Sequence, residues 1–174
     1  YLREQTGAKP PVISEANLAG DTHATLIILD GTTNHLLLAR FGISINVPGD
    51  RDDAYHLRVV YQDKRTVVAV AGHAPSGAKY GAYRLMEEMK LSEGSATIAN
   101  LDLTASPFFK TRSVSLFNIW RVPVEVIRQC NLESWSAERI QQNVEMYDAF
   151  GFNALETHDR FHEDFLRAVY GITR

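Results

Sequence analysis

Three polar residues, Glu156, His158 and Asp159, follow the stretch Phe152-Asn153-Ala154-Leu155. Side chains alternate along a strand, so Glu156 and His158 would share one face. Polar residues at the end of a buried parallel strand are suited to lining a site, although a solvated turn accounts for the same residues. Upstream, residues 118–135 form a connection far longer than the 2–6 residues usual in α/β units. It carries Trp120, Arg121 and Trp135; the aromatic rings could stack on sugar faces, or the tryptophans could simply pack on the protein body. His158-Asp159-Arg160-Phe161-His162 would place two imidazoles at i, i+4 on a helix, the spacing of zinc peptidases. Asp159 is one methylene shorter than the usual glutamate and no third ligand stands out, so no metal is assigned. The turn Gly72-His73-Ala74-Pro75-Ser76-Gly77 could offer free amides to an anion, but a plain strand-to-helix turn explains it. Cys130 is the sole cysteine; it can form no internal disulfide and has no evident activating base.

The elements that must position these groups are legible from periodicity and breakers. Tyr1 to Thr6 suits a helix end capped by Gly7 and closed by Pro10-Pro11. Val12-Ile13 could start a strand, Thr25 to Asp30 reads as a buried strand, and Asn34 to Phe41 as a short helix stopped by Gly42. Tyr55 to Tyr61 alternates and is followed by the turn Gln62 to Arg65 and by Thr66 to Ala71, a β-hairpin. A helix is expected from about Gly77 to Lys90, with Gly81 permitting close approach to a sheet, and a strand over Ala96 to Leu103. Beyond a boundary near Ser106-Pro107 the pattern becomes strand (112–117), long loop, helix (137–150) and strand (152–157). Ser136 serves as N-cap, Gly151 as C-cap, and Ile140, Val144, Tyr147 and Phe150 as the buried helix face.

These elements predict an α/β fold: residues 1–105 as an α+β domain with helices packed on an antiparallel sheet, then the first β-α-β unit of an incomplete barrel over 106–174. Composition is that of a globular chain, with 45% hydrophobic and 22% charged residues among 174. A net charge of −3 without a Lys/Arg stripe argues against a nucleic-acid partner. No apolar run approaches the ~20 residues of a membrane-spanning helix, and no secretory signal pattern is present. The chain opens at Tyr1 in what reads as the last turn of a helix, so further residues are expected before it.

The order of pieces resembles glycoside hydrolases. Ala54 to Gly72 as hairpin, Gly77-Ala78-Lys79-Tyr80-Gly81 as helix start, a closing strand and Pro107-x-Phe109-x-x-Arg112 together resemble the non-catalytic domain that precedes the barrel in family 20 β-hexosaminidases and family 67 α-glucuronidases. The resemblance spans nearly the whole chain. It implies a (β/α)8 barrel beginning at about residue 106, an oligosaccharide or polysaccharide substrate, no cofactor, and a secreted or periplasmic setting. Arg112 occupies the place of the family 20 arginine that hydrogen-bonds the terminal sugar, with Ser113 where that family has glycine. Asn153 and His158 match its second-strand motif, while Glu156 and Phe161 replace a histidine and an aspartate, as in a divergent relative.

The implied sugar-binding residues are Arg112, Asn118, Glu156, His158 and Asp159. A full barrel takes about 250 residues, and residues 106–174 supply two strands of eight. Glu156 and Asp159 are too close in sequence to flank a glycosidic bond, so no catalytic pair is assigned and the chain itself is expected to be inert. An incomplete barrel would expose strand edges; self-association, disorder after about residue 105, or further residues beyond Arg174 would follow. The alternatives are a non-catalytic carbohydrate-binding or structural module, and a small metalloenzyme using His158 and His162.

Overall fold

A computed structural model describes residues 2–7, 9–14, 16, 18, 23–32, 34–62, 64–115 and 136–156. The chain divides into two compact units, Tyr1–Phe108 and Phe109–Arg174. The fold is α/β, as the sequence pattern predicts.

In the first unit, a mixed sheet is built from β1 (Thr25–Asp30), β2 (Tyr55–Gln62), β3 (Arg65–Gly72) and β6 (Asp102–Ala105), in the order β1-β3-β2-β6. β2 and β3 form the expected antiparallel hairpin, with Tyr55 opposite Gly72 and Gln62 opposite Arg65. The all-antiparallel expectation fails at β1, which runs parallel to β3 with Thr25 opposite Thr66 and Asp30 opposite Ala71. The chain leaves β1 and enters β2 at the same end of the sheet, passing β3 on the way. Local sequence does not encode strand direction, so alternation alone could not reveal this. β3 is central, and its run Val67 to Gly72 is fully buried. That explains why it reads as a continuous small and apolar string and not as an alternating one.

Helices and loops cover much of both faces of the sheet, but β1, expected to be buried, is an edge strand that leaves Ile27 and Leu29 exposed on one face. On one face Ile28, Val67, Ala69 and Ala71 pack with Leu38 of α2 (Leu36–Arg40) and with Ile43. On the other, Leu57, Val59, Val68 and Val70 pack with Leu85 of α3 (Pro75–Glu88). α3 starts two residues before the expected Gly77, because Pro75 is pre-set for the first helical turn. Gly72, Gly77 and Gly81 let its backbone settle onto the strands, and a Cβ on Gly81 would lie 2.5 Å from Val70 Cγ1. β1 ends in a local turn, where buried Asp30 Oδ1 accepts from Thr32 N at 2.9 Å and from Thr32 Oγ1 at 2.6 Å.

Two strand expectations are corrected. Val12 and Ile13 are not in a strand; Val12 is fully exposed and has no apolar surface to pair against. The strand foreseen over 96–103 is instead a small hairpin, β4 (Lys90–Ser92) with β5 (Ser95–Thr97), followed by β6. Gly94, at φ 73°, makes the tight turn between β4 and β5. The Leu2–Thr6 helix (α1) and the left-handed Gly7, at φ 73°, agree with expectation.

β6 is joined to the sheet by a polar network as well as by its ladder. His56 on β2 is 5% exposed in its side chain, and its Nε2 lies 2.6 Å from Asp102 Oδ1. Asp102 Oδ2 lies 3.3 Å from Arg58 Nε. The hydrogen bond from His56, aided by the positive charge of Arg58, holds the Asp102 carboxyl below its ordinary value of 3.8 against the opposing effect of desolvation. A depressed carboxylate pKa stabilises the fold above the unfolded value, and that contribution is lost as pH falls through the folded value. Wild type is therefore expected to lose its advantage over Asp102→Asn on acidification below pH 3.8, read as converging urea midpoints. Because Asp102 is 58% exposed the difference is small. Midpoints that stay parallel down to the lowest pH would count against it.

Candidate functional site

The second unit contains the candidate site, built from β7 (Ser113–Ser115), α4 (Ala137–Ala149) and β8 (Ala154–Glu156). Ser136 caps α4 as expected, its Oγ accepting from Arg139 N at 3.2 Å. Glu138 lies in the first turn, where a carboxylate favours the helix dipole. Ile140 is buried, but Phe150, expected on the buried face, is 74% exposed. It is the C-cap residue, one position past the helix, where the 3.6-residue period no longer sets direction. Gly151, at φ 87°, takes the left-handed position that ends the helix. Phe152 then meets Tyr147 edge-on, with ring centroids 6.3 Å apart.

β7 and β8 pair in parallel, with Ser113 opposite Ala154, Val114 opposite Leu155 and Ser115 opposite Glu156. Among the described residues each strand starts later than expected, at Ser113 and at Ala154, and residues 116–117 and 157 lie outside those described. Glu156 is exposed at the carboxyl end of β8, the end at which parallel α/β folds build their sites.

Arg112 lies at the opposite, amino end. Its Nε donates to Gly151 O at 2.5 Å and its Nη1 to Phe109 O at 2.8 Å. Its backbone N–H donates to Asn153 Oδ1 at 2.8 Å, and Asn153 Nδ2 donates to Lys110 O at 2.8 Å. Asn153 N–H in turn donates to Arg112 O at 3.0 Å. The result is a clamp between residues 41 apart in sequence that ties the start of β7 to the start of β8 and to the end of α4.

The structure therefore joins Arg112 to Asn153 and separates Arg112 from Glu156 by about 10 Å, three residues of strand rise. Asn153 matches the second-strand motif but is not among the expected sugar-binding residues. Its position between a helix-ending glycine and an apolar strand was the available signal. Asn118, His158 and Asp159 lie outside the described residues, as do Trp120, Arg121, Cys130, Trp135 and His162. Among the described residues no group of three or more His, Cys, Asp or Glu could hold a metal. Among them, too, no helix is long and apolar enough to cross a membrane.

No protein-family model matches this chain, and no curated protein matches it significantly. Among solved structures it is similar to a glycoside hydrolase family 20 β-N-acetylglucosaminidase, at 17% identity and a TM-score of 0.49, over 78% of this chain and 26% of that one. It is also similar to CpGH84B, at 18% identity and a TM-score of 0.49, over 76% of this chain and 22% of that one. The chain thus spans about a quarter of the length of the solved structures it matches.

Proposed function

We propose that this chain is part of a carbohydrate-active hydrolase: an α/β accessory domain over residues 1–105 and the opening β-α-β unit of a (β/α)8 barrel over 106–174. The longer protein would hydrolyse glycosidic bonds of an oligosaccharide or polysaccharide. The observation that carries the reading is the Arg112–Asn153 clamp. Both residues were carried over from separate family 20 motifs, and both meet at the base of one parallel β-α-β unit.

In this reading the sugar subsite lies at the carboxyl ends of β7 and β8. Glu156 stands there, and Asn118, His158 and Asp159 follow those strand ends in sequence. A carboxylate accepts hydrogen bonds from sugar hydroxyls, and an imidazole can donate or accept one. Arg112 serves the same subsite from the other end. Two of its guanidinium nitrogens are committed to backbone carbonyls, and the resulting register sets Glu156 opposite Ser115. The two carboxyl groups that flank the scissile bond in most glycosidases would come from later strands of the longer protein.

The test pairs this chain with the longer protein on a panel of aryl glycosides that includes N-acetylglucosaminides and glucuronides. The longer protein is expected to release the aryl alcohol and the 174-residue chain to leave every substrate intact. In the longer protein Glu156→Gln is expected to lower kcat/KM roughly tenfold, the effect of one hydrogen bond to a charged group. A longer protein inert on the whole panel sinks the function, and hydrolysis by the isolated chain sinks the division of labour.

A further inference from the structure

His56 is a buried titratable side chain that the proposed carbohydrate site does not use. Its two ring nitrogens are committed to different elements. Nδ1 accepts the backbone N–H of Asn46 at 3.0 Å, and Nε2 lies 2.6 Å from Asp102 Oδ1 on β6. An Nδ1 that accepts a backbone N–H carries no proton, so the proton is on Nε2 and is donated to Asp102. The imidazole is therefore neutral in this arrangement.

Asn46 lies in the segment 43–47, which has no regular secondary structure. It nevertheless covers one face of the sheet: Ile43 is part of the core cluster, and Ile45 and Val47 pack against it. A second tether holds the same segment, from Arg58 Nη1 to Ser44 O at 2.8 Å. His56 and Arg58, both on β2, thus strap residues 43–47 over the apolar face formed by Ile28, Val67, Ala69 and Ala71.

We infer that the 43–47 segment is a proton-sensitive strap, latched by neutral His56 and loosened when the imidazole takes up a second proton. Protonation turns Nδ1 into a donor facing the Asn46 N–H donor, and that contact is lost. The charged and titratable groups that bear on the ring are Asp102 from β6 and Arg58 from β2. The strap presents only backbone atoms to the tethers, and its residues Ile43 to Val47 include no titratable side chain. β3 places Ala71 opposite His56. The attraction of an imidazolium to Asp102 is already shared with Arg58, 3.3 Å from that carboxylate, and Arg58 would repel the new charge. Asp102, held below 3.8, stays ionised from pH 8 to pH 5 and is not the group that changes there; the His56 ring signals and the His56→Gln variant assign any change at Asn46.

The test is amide hydrogen exchange at Asn46 in the full 174-residue chain, expressed as a protection factor to remove the intrinsic pH dependence of exchange. ¹⁵N signals of the His56 ring are followed in parallel. Protection at Asn46 is expected to fall roughly tenfold between pH 8 and pH 5, the value of one hydrogen bond, in step with ring protonation. His56→Gln, whose amide offers an acceptor and a donor without titrating, is expected to abolish that pH dependence. If this variant does not fold, the wild-type ring signals and the Asn46 protection decide the matter alone. Protection unchanged while the ring protonates overturns the inference. So does a ring that remains neutral at pH 5, or an equal fall in folded His56→Gln.

Discussion

Gly77→Ala is expected to lower the stability of the first unit by about 3 kcal/mol or more, enough to unfold a marginal domain on warming. A Cβ at this position would overlap Ala54 O and lie 2.8 Å from Asp52 O, both backbone atoms. No side chain can rotate away to make room. The substitution would gain close to 1 kcal/mol of helix propensity, and the overlap outweighs that gain because α3 or the 52–54 segment must shift. For a domain of this size the melting temperature should drop by about 12 °C or more. Gly94→Ala is the control. Its φ of 73° imposes backbone strain, but a Cβ there meets nothing within 4 Å, so a cost of about 1 kcal/mol is expected. Equal losses in the two variants, measured by urea unfolding, would show that conformational strain and not close approach governs Gly77.

The second large effect is expected at Arg112. Replacing it with alanine removes the hydrogen bonds to Gly151 O and Phe109 O and should destabilise the second unit by about 2–3 kcal/mol, with partial solvent exposure of the bonds keeping the loss below their full value. Hydrogen exchange at Ala154 and Leu155 should rise with it, because the clamp sets the start of the β7–β8 ladder. Arg112→Lys should recover less than half of the loss, since one ammonium cannot reproduce a planar fork aimed at two carbonyls. Asn153→Ala should resemble Arg112→Ala, and the double variant should cost less than the two single losses added together, because the residues share one network. Full recovery by lysine, or strictly additive losses, would show that the guanidinium geometry is not what holds the strands.

How far the sequence could be read depends on how local each feature is. The β2–β3 hairpin, β1, α3 and α4 with its Ser136 cap and Gly151 stop all follow from signals within a few residues: alternation, helical spacing, a hydroxyl before a helix, a glycine after it. Errors arose where a local pattern had two uses. Ala96 to Leu103 has the apolar content of one strand, yet it is divided between β5 and β6, because β6 is selected by its pairing with β2. Phe150 continued the apolar spacing of α4 but stands past the last helical turn, in solvent. For the site, Glu156 at a strand end was legible from the switch between apolar and polar residues. The use of Arg112 as a clamp was not, because its partners at Gly151 and Asn153 lie 39 and 41 residues away and no local pattern points to them.

The sequence by itself determined where most strands and helices lie, that Gly81 lets a helix approach the sheet, and which end of the last described strand carries a carboxylate. Propensity, periodicity and capping act over one or two turns and are written in neighbouring residues. Tertiary structure alone decided that β1 runs parallel to β3, that His56 meets Asp102 across 46 residues of chain, and that Arg112 and Glu156 occupy opposite ends of one strand pair. Those outcomes depend on which distant surfaces bury each other and which donors find acceptors on folding. That choice belongs to the packed chain as a whole and not to any one segment.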